Sequence, residues 1–424
     1  MSPMSHRLLH AVPLMLMAAA CDRTPSAPVA PIAAQALHAG AEFTPLPASA
    51  QCTPGGNVGA LLNLPAGYSQ IAIASEPDYV DVPDMNTLNE TGPQAGRYLY
   101  RTHELGSNGG ISVTDLWTSE THVLVRRADW EALDGIVWTP WGTILFAEER
   151  GASSRPDPDF PAATAGLVYE LDPATLQVTV RPAIGSRSHE GMRFDPQGNL
   201  YGISETNPGA LFKFVPDRRG DLSSGQLYAL KVVNDPGDGT GPAVWVPLDR
   251  AASQINSDVE ATRVGATGYF RPEDIELATS TGNSRGHVLY VAVTGNSSTV
   301  HGRVLAVQLR NDGTAIVSNY VKVGEDVSND FLMPDNVALD HTGRLFITED
   351  PGSAGSTGQG DDIWVATPGP KGEQAATVGR FASVTDCSAE PTGIYFDKSN
   401  GSLFVNIQHR GGDGQDKTLA IRRE

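Results

Sequence analysis

Acidic residues at a fixed spacing are the part of this sequence best suited to chemistry. Three pairs of carboxylates stand 15 residues apart, and each pair brackets a strand, a tight polar turn and a second strand. The pairs are Asp134 with Glu149, Glu190 with Glu205, and Asp335 with Asp350. Because a hairpin goes out and comes back, both members of a pair are expected at the same edge of a sheet.

Three more acids occupy equivalent places: Glu104 follows a predicted strand, and Glu273 and Glu390 each precede one. Nine carboxylates at one edge would repel one another and lose solvation. Hard cations such as calcium relieve that cost because they bind oxygen ligands. The pattern therefore predicts a metal site, with solvated loop acids or turn caps as the alternative for any single residue.

Basic residues stand beside these acids. Arg271 lies two residues before Glu273, and His189 directly precedes Glu190. Because a guanidinium suits bidentate binding of phosphate or carboxylate, Arg271 is predicted to bind substrate. Arg271 and Glu273 are the predicted catalytic residues. His189 is predicted to contact substrate, and ordinary ion pairs are the alternative for both. The sequence has no Gly-x-Ser-x-Gly elbow, phosphate-binding loop or paired-His zinc helix, which favours metal-activated water over a covalent nucleophile.

The elements that must position these residues form a repeat. A strand–turn–strand unit starts near residues 135, 191, 274, 336 and 393, a period of about 60 residues that suits a four-stranded blade. The sequence therefore predicts an all-β, six-bladed β-propeller. The last blade has too little sequence for four strands, so an N-terminal strand near residues 61–64 is expected to close the ring. A sandwich is the structural alternative, but it does not explain so regular a repeat.

Composition divides the chain into three parts. Residues 1–21 read as a signal peptide and residues 22–50 as a Pro/Ala-rich tether. Residues 51–424 are predicted to form one propeller, with a Gly/Pro/Asp-rich insertion near 216–262. The net charge of -19 argues against nucleic acid and against an anionic membrane surface as partners.

The cysteines and the first residues point to export. A segment with one Arg precedes the apolar residues 8–20, which are too few to span a bilayer. Small residues precede Cys21 as in bacterial lipoproteins, so a lipid anchor at Cys21 and its simple removal with the signal both stay open. The protein is expected in the periplasm or cell envelope. In that oxidising compartment Cys52 and Cys387 suggest one disulfide, with two unpaired thiols as the alternative.

Several short sequence motifs lie at the ends of the predicted hairpin strands. They are Thr102-His103-Glu104, Thr139-Pro140-Trp141-Gly142-Thr143 ending in Glu148-Glu149, His189-Glu190-Gly191, Arg271-Pro272-Glu273, Pro334-Asp335-Asn336, and Glu390 with Val405-Asn406-Ile407-Gln408-His409. In this order they make the chain resemble the PhoX-type alkaline phosphatases, a bacterial family of exported six-bladed propellers. The resemblance covers most of residues 95–410.

The resemblance implies a cluster of calcium and iron ions that hydrolyses small phosphate monoesters. Carried onto this sequence, it implies that Arg271 contacts the phosphate. Where the family has a Cys ligand before the Thr139 string, this chain has Asp134. Because carboxylates suit calcium, magnesium or manganese, several calcium ions are expected and the iron is left open. The implied metal ligands are Glu104, Asp134, Glu149, Glu190, Glu273, Asp335 and Glu390.

The resulting hypothesis is a monomeric, metal-dependent phosphoesterase of the alkaline-phosphatase type. One alternative is a calcium-dependent lactonase-type hydrolase, in which Glu149, Asp335 and Asn336 hold a single ion. The other is a non-catalytic binding propeller in which calcium only braces the channel. The number of bound ions separates the two enzymes, and turnover of an ester separates both from the binding protein.

Overall fold

The computed structural model describes residues 43–57, 59–152, 156–279, 287–296, 302–324, 330–350, 358–370, 372–399, 401–410 and 415–424. The predicted signal peptide, Cys21 and most of the predicted tether lie outside the described residues.

Two N-terminal strands precede the repeating units, β1 (Leu62–Asn63) and β2 (Tyr68–Ser75). Blade 1 contains β3 (Pro83–Leu88), β4 (Tyr98–His103), β5 (Gly110–Asp115) and β6 (Glu120–Arg126). Blade 2 contains β7 (Leu133–Trp138), β8 (Ile144–Glu148), β9 (Val168–Asp172) and β10 (Gln177–Val180), and a 3₁₀ turn follows at Pro182–Ile184.

Blade 3 contains β11 (His189–Phe194), β12 (Leu200–Ser204), β13 (Leu211–Arg218) and β14 (Asp221–Val232). After it come β15 (Gly241–Pro247), α1 (Arg250–Ile255) and α2 (Ser257–Val264). Blade 4 contains β16 (Pro272–Ala278), β17 (Val288–Val293), β18 (Arg303–Leu309) and β19 (Thr314–Lys322).

Blade 5 contains β20 (Pro334–Leu339), β21 (Leu345–Glu349), β22 (Asp362–Pro368) and β23 (Ala375–Val384). Blade 6 contains β24 (Glu390–Phe396), β25 (Leu403–Gln408) and β26 (Lys417–Arg423). The innermost strands β3, β7, β11, β16, β20 and β24 each contact the next, and β24 returns to β3, so the ring is closed. The all-β, six-bladed propeller is confirmed.

An N-terminal strand closes the last blade, but it is not the segment near residues 61–64. Strand β2 pairs with β26, from Tyr68 opposite Arg423 to Ser75 opposite Lys417. Strand β1 instead pairs with β23 and adds a fifth strand to blade 5. The reason is length: Pro65 and Gly67 end the first segment after two paired residues, whereas β2 offers eight residues to the outer edge of blade 6.

The stretch 216–262 holds more regular structure than its composition suggests. It includes β14, the outer strand of blade 3, and β15, which pairs with both β14 and β19 and joins blades 3 and 4 into one sheet. Two short helices follow, each with a side-chain N-cap: Asp249 accepts from the backbone N–H of Ala251, and Asn256 does so from Asp258. Within the part of the chain that the structure describes, no helix has the length and apolarity needed to cross a bilayer.

Apolar side chains pack between neighbouring blades, and a disulfide fastens the N-terminal segment. Tyr100 of blade 1 stacks on Trp138 of blade 2 with ring centroids 6.0 Å apart. Cys52 is bonded to Cys387, just before blade 6, with 5.0 Å between the Cα atoms. The bond therefore ties the start of the propeller to the region where the ring closes.

Candidate metal centre

In blades 1 to 5 a β-bulge at the start of the innermost strand turns an acid toward the channel. In blade 2, Leu133 pairs with Glu148 and Ile136 with Phe146, so Asp134 and Gly135 together face one residue of β8. A bulge of this kind turns a side chain out of the normal alternation. The first bulged residue is a carboxylate in blades 1 to 5, namely Asp84, Asp134, Glu190, Glu273 and Asp335. In blade 6 the bulge comes later, after Thr392, and Glu390 pairs directly with Gln408.

The second strand of each hairpin ends beside the bulge. The backbone N–H of Glu149 donates to Ala132 O at 2.7 Å, which fixes this acid next to Asp134. Equivalent bonds join Glu104 to Val82, Glu205 to Ser188 and Asp350 to Met333. The 15-residue spacing in the sequence thus corresponds to two carboxylates at one edge of the hairpins in blades 2, 3 and 5.

Two groups of carboxylates come close enough to share a cation. Ligand oxygens of Asp134, Glu149 and Glu190 lie within 4.8 Å of one another, and those of Glu190, Glu205 and Glu273 do the same. Glu190 belongs to both groups, so five acids from blades 2, 3 and 4 form one continuous cluster. Asp134, Glu190 and Glu273 are each 4 to 5% exposed.

The electrostatics of this cluster are unfavourable for bare carboxylates. Burial raises the pKa of Glu190 well above its ordinary value, and the charges of Asp134 and Glu273 raise it further. Burial and the Asp84 carboxylate raise the pKa of Asp134 in the same way. In addition, Asp134 Oδ1 and Glu273 Oε1 are buried without a hydrogen-bond donor among the described residues. The donor set is therefore one that a hard cation fits, because it would supply the missing positive charge to oxygen ligands.

The other predicted ligands complete the ring without joining either group. Burial raises the pKa of Asp335, with further contributions from Glu273 and Asp350. Burial also raises the pKa of Glu390, as does the charge of Asp350. Burial and the Asp84 carboxylate raise the pKa of Glu104 to about 7. These acids interact electrostatically with neighbouring ring acids, but they do not belong to the two close groups.

Arg271 is the cation that the structure holds against this cluster. Its Nε donates to Glu205 Oε1 at 2.8 Å, and its Nη2 lies 2.6 Å from the same oxygen and 3.0 Å from Glu273 Oε1. The contact with Glu273 is an ion pair without hydrogen-bond alignment, since that oxygen has no donor within the described ranges. Burial lowers the pKa of Arg271, but the two glutamates outweigh it and the net shift is upward. The guanidinium stays charged and remains 35% exposed.

His189 does not lie at the ring. Its side chain is 0% exposed, and Nε2 lies 3.1 Å from Gly185 O inside blade 3. Burial lowers its pKa well below the ordinary value, so the imidazole is neutral. The bulge that begins at Glu190 turns that side chain toward the channel, whereas His189 lies before the bulge in a regular pair with Ser204. The imidazole is thus enclosed by protein atoms, and its contact with substrate stays a prediction.

Asp84 is a channel acid that the sequence analysis did not predict. It is buried, and its Oδ1 accepts a 2.7 Å hydrogen bond from Thr392 Oγ1 of blade 6. Its strand is rich in polar residues and does not show an apolar pattern. A signal was nevertheless present, since Pro83-Asp84 repeats the order of Pro272-Glu273 and Pro334-Asp335. Glu205 and Asp350 were part of the 15-residue pattern but not among the implied ligands.

A further acidic group lies at the junction of β2, β26 and β3 and is explained by local structure. Glu76, Asp81 and Asp416 bring ligand atoms within 4.8 Å of one another. Here the carboxylates accept backbone hydrogen bonds: Val82 N–H donates to Asp81 and Asp416, and Asp416 N–H donates to Glu76. These bonds satisfy the group in the way that turn caps do.

Comparison with known proteins identifies the family. The family model described as alkaline phosphatase PhoX matches residues 135–411, which is more than half of the chain. The chain belongs to the PhoX family. No curated protein matches the sequence.

Several solved structures are similar to this PhoX family member. The structure of Pseudomonas fluorescens PhoX in complex with vanadate, a transition state analogue, is 18% identical with a TM-score of 0.69 and covers 90% of this chain and 98% of its own. A putative oxidoreductase (glucose dehydrogenase) from Thermus thermophilus is 15% identical with a TM-score of 0.49, covering 84% of this chain and 100% of its own. A gluconolactonase from Xanthomonas campestris is 14% identical with a TM-score of 0.43, covering 91% and 100%. At 18% identity the likeness to the Pseudomonas fluorescens structure shows the propeller fold alone.

Proposed function

We propose that this chain is a metal-dependent phosphoesterase that hydrolyses phosphate monoesters. The observation that carries the proposal is the pair of close carboxylate groups that share Glu190 beside the charged, partly exposed Arg271. A negatively charged cluster of this kind would repel a phosphate ester unless cations lay between them. Membership of the PhoX family supports the reaction class.

Two cation positions follow from the two groups. Asp134, Glu149 and Glu190 would hold one cation, and Glu190, Glu205 and Glu273 would hold a second. Bound cations would supply Lewis-acid polarisation of phosphoryl oxygens and a more acidic water. All of these donors are carboxylate oxygens, and Asp134 stands where the family resemblance places a thiolate. We therefore expect calcium, magnesium or manganese in preference to iron.

The chain's own contribution to the reaction centres on Arg271. Glu205 and Glu273 hold the guanidinium from one side, and its exposed part is left to bind two phosphate oxygens. A guanidinium fixed in this way stabilises the negative charge that develops as the ester bond breaks. The φ of Arg271 is 53°, a left-handed conformation that costs roughly 1–3 kcal/mol in a residue other than glycine. We interpret this strain as part of how the guanidinium is oriented.

The test combines elemental analysis with hydrolysis of p-nitrophenyl phosphate, with and without chelator. We expect more than one ion per chain and loss of activity on chelation. Glu190→Gln and Glu273→Gln should each lower activity and metal content together, whereas Glu120→Gln, on the exposed outer strand of blade 1, should change neither. Full activity in either channel variant with fewer metals would contradict the cluster assignment.

The same measurements separate the alternatives. A single ion with hydrolysis of a lactone and none of a phosphate ester would indicate the lactonase-type enzyme. Thermal stabilisation by calcium without turnover of any ester would indicate a binding propeller.

We also propose that the protein is exported to the periplasm or cell envelope. The disulfide between Cys52 and Cys387 supports this, because such bonds persist mainly in oxidising compartments. Cell fractionation and mass spectrometry of the mature N-terminus would test export and show whether Cys21 carries lipid. Recovery in the cytoplasm with an intact Met1 would contradict the proposal.

A further inference from the structure

The helices of the insertion after blade 3 lie against the strands that carry two acids of the carboxylate cluster. Ser257, the first residue of α2, donates its backbone N–H to Ser186 O at 2.7 Å. Ser186 lies three residues before β11, the strand that carries Glu190. The approach is close because Gly185 has no side chain, and a Cβ there would clash with Ser257 Oγ. Helix α2 therefore begins against the segment that leads into the cluster.

Asp258, in the first turn of α2, contacts the second strand of blade 3. Its Oδ2 accepts a 3.0 Å hydrogen bond from Ser204 Oγ, and Ser204 is 0% exposed. Ser204 ends β12 and directly precedes Glu205, whose backbone N–H donates to Ser188 O at 3.2 Å. A carboxylate of the insertion thus fixes the residue next to a member of the carboxylate cluster.

Arg187 is a buried cation that joins the same two strands. It stands three residues before Glu190, and its Nε donates to Ile203 O of β12 at 2.9 Å. Its Nη1 donates to Ile184 O at 3.0 Å, and the residue is 1% exposed. Burial lowers the pKa of Arg187 to about 9, and the charge of Asp258 opposes that shift. A buried guanidinium needs such a charge, because an unpaired one is costly.

The Asp258 side chain depends on the same two partners. Its Oδ1 is buried and has no hydrogen-bond donor among the described residues. Burial raises the pKa of Asp258, whereas the Ser204 hydroxyl and the charge of Arg187 act in the opposite direction. Asp258, Ser204 and Arg187 therefore form one polar network between α2 and the strands that carry Glu190 and Glu205.

This network adjoins one carboxylate group more directly than the other. The group of Glu190, Glu205 and Glu273 contains the acid that follows Ser204, whereas the group of Asp134, Glu149 and Glu190 does not. Side chains that orient metal ligands from behind affect the affinity for the metal without touching it. Loss of the hydrogen bond between Asp258 and Ser204 should therefore act on the group that contains Glu205.

We propose that Asp258 is a positioning residue for the group of Glu190, Glu205 and Glu273: it holds Ser204, and with it Glu205, where this group binds its cation. The inference rests on the proposed metal-dependent function. It assigns the insertion a part in setting the affinity for one of the two cations.

Calorimetric titration of the metal-free, full mature protein with calcium tests the proposal. Asp258→Asn should weaken the calcium site that contains Glu205 by about ten- to a hundredfold and leave the other site unchanged. Ser204→Ala should have the same effect, and it leaves the charges of Asp258 and Arg187 in place. In Glu205→Gln, which is expected to keep only the group of Asp134, Glu149 and Glu190, adding Asp258→Asn should not change the remaining calcium affinity.

Asp249→Ala is the matched control, because Asp249 caps α1 of the same insertion through the backbone N–H groups of Ala251 and Ala252. Loss of this cap should lower the melting temperature and leave both calcium affinities unchanged. The proposal is overturned if Asp258→Asn lowers the melting temperature with both calcium affinities intact, since the role would then be purely structural. It is also overturned if Asp249→Ala weakens calcium binding equally. If Asp258→Asn does not fold, an unchanged calcium affinity in Ser204→Ala overturns it.

Hydrolysis of p-nitrophenyl phosphate, measured in parallel, separates this inference from the proposed function. The expected calcium effects without any hydrolysis by the wild type would refute the phosphoesterase activity and support the positioning role. Hydrolysis by a wild type whose calcium affinities do not respond to Asp258→Asn would refute the positioning role alone. A wild type that binds no calcium would overturn this inference together with the proposed calcium sites.

Discussion

Replacing Asp84 by Asn should stabilise the metal-free protein and destabilise the calcium-loaded one. In the metal-free protein burial raises the pKa of Asp84 to about 6, even though the hydrogen bond from Thr392 lowers it. The folded state therefore binds the proton more tightly than the unfolded chain, in which the pKa is 3.8. Proton binding by Asp84 therefore stabilises the folded state. This stabilisation is fully present below about pH 4 and is lost as the pH rises from about 4 to about 6. Above that range the free energy of unfolding of the metal-free protein stays lower by about 3 kcal/mol.

Asp84→Asn removes this loss because an amide is neutral at every pH and its oxygen can still accept from Thr392. At about pH 8 in EDTA we expect the variant to be about 3 kcal/mol more stable than the wild type, or roughly 3 to 6 °C in melting temperature. The difference should shrink toward zero as the pH falls to about 4. In calcium the sign should reverse, since the charge that destabilises the empty ring attracts the cation.

Differential scanning fluorimetry at about pH 4, 6 and 8, in EDTA and in calcium, measures the effect. Asp312→Asn is the control, because this exposed turn residue should shift the melting temperature equally in both conditions. The reasoning is refuted if Asp84→Asn melts below the wild type in EDTA at the highest of these pH values. It is equally refuted if the shift has the same sign with and without calcium.

The remaining predictions concern the cluster, the arginine and the disulfide. Glu205→Gln should remove one ion and leave the group of Asp134, Glu149 and Glu190 occupied, whereas Glu190→Gln should lower the metal occupancy of both groups. Equal metal content by elemental analysis in the two variants would contradict the shared position of Glu190. Arg271→Lys should raise KM for p-nitrophenyl phosphate about tenfold with metal content unchanged, because an ammonium cannot bind two phosphate oxygens and Glu205 together. An unchanged KM would assign the guanidinium a purely structural role. Cys52→Ser should lower the free energy of unfolding by up to about 5 kcal/mol in urea titrations, because the bond closes a loop with a sequence separation of 335 residues; an unchanged midpoint would show that β2 alone secures the closure.

The part of the fold that could be predicted is the part that the local sequence pattern determines. Alternating strands with Asp- and Gly-containing turns specify hairpins, and a hairpin has a fixed side-chain period, so blade number and the shared edge of each acid pair follow from the sequence. The closing strand was misplaced because pairing with β26 depends on how many residues reach the outer edge of blade 6, which only the closed ring defines. The helices α1 and α2 were missed because their caps lie within a segment whose composition is typical of loops.

The candidate site divides in the same way. The 15-residue spacing of Asp134 and Glu149 is a property of one hairpin, so their common edge can be read from the chain before any folding is known. Which acids of different blades approach within 4.8 Å, and that Glu190 is common to two groups, depends on the angle between blades and is fixed only when the ring closes. The same holds for His189, whose neighbour Glu190 is turned to the channel by a bulge while His189 stays inside blade 3. The spacing of acids along the chain thus determines that carboxylates form a ring. The positions where a cation could bind are determined only by the closed ring, which brings acids of separate blades together.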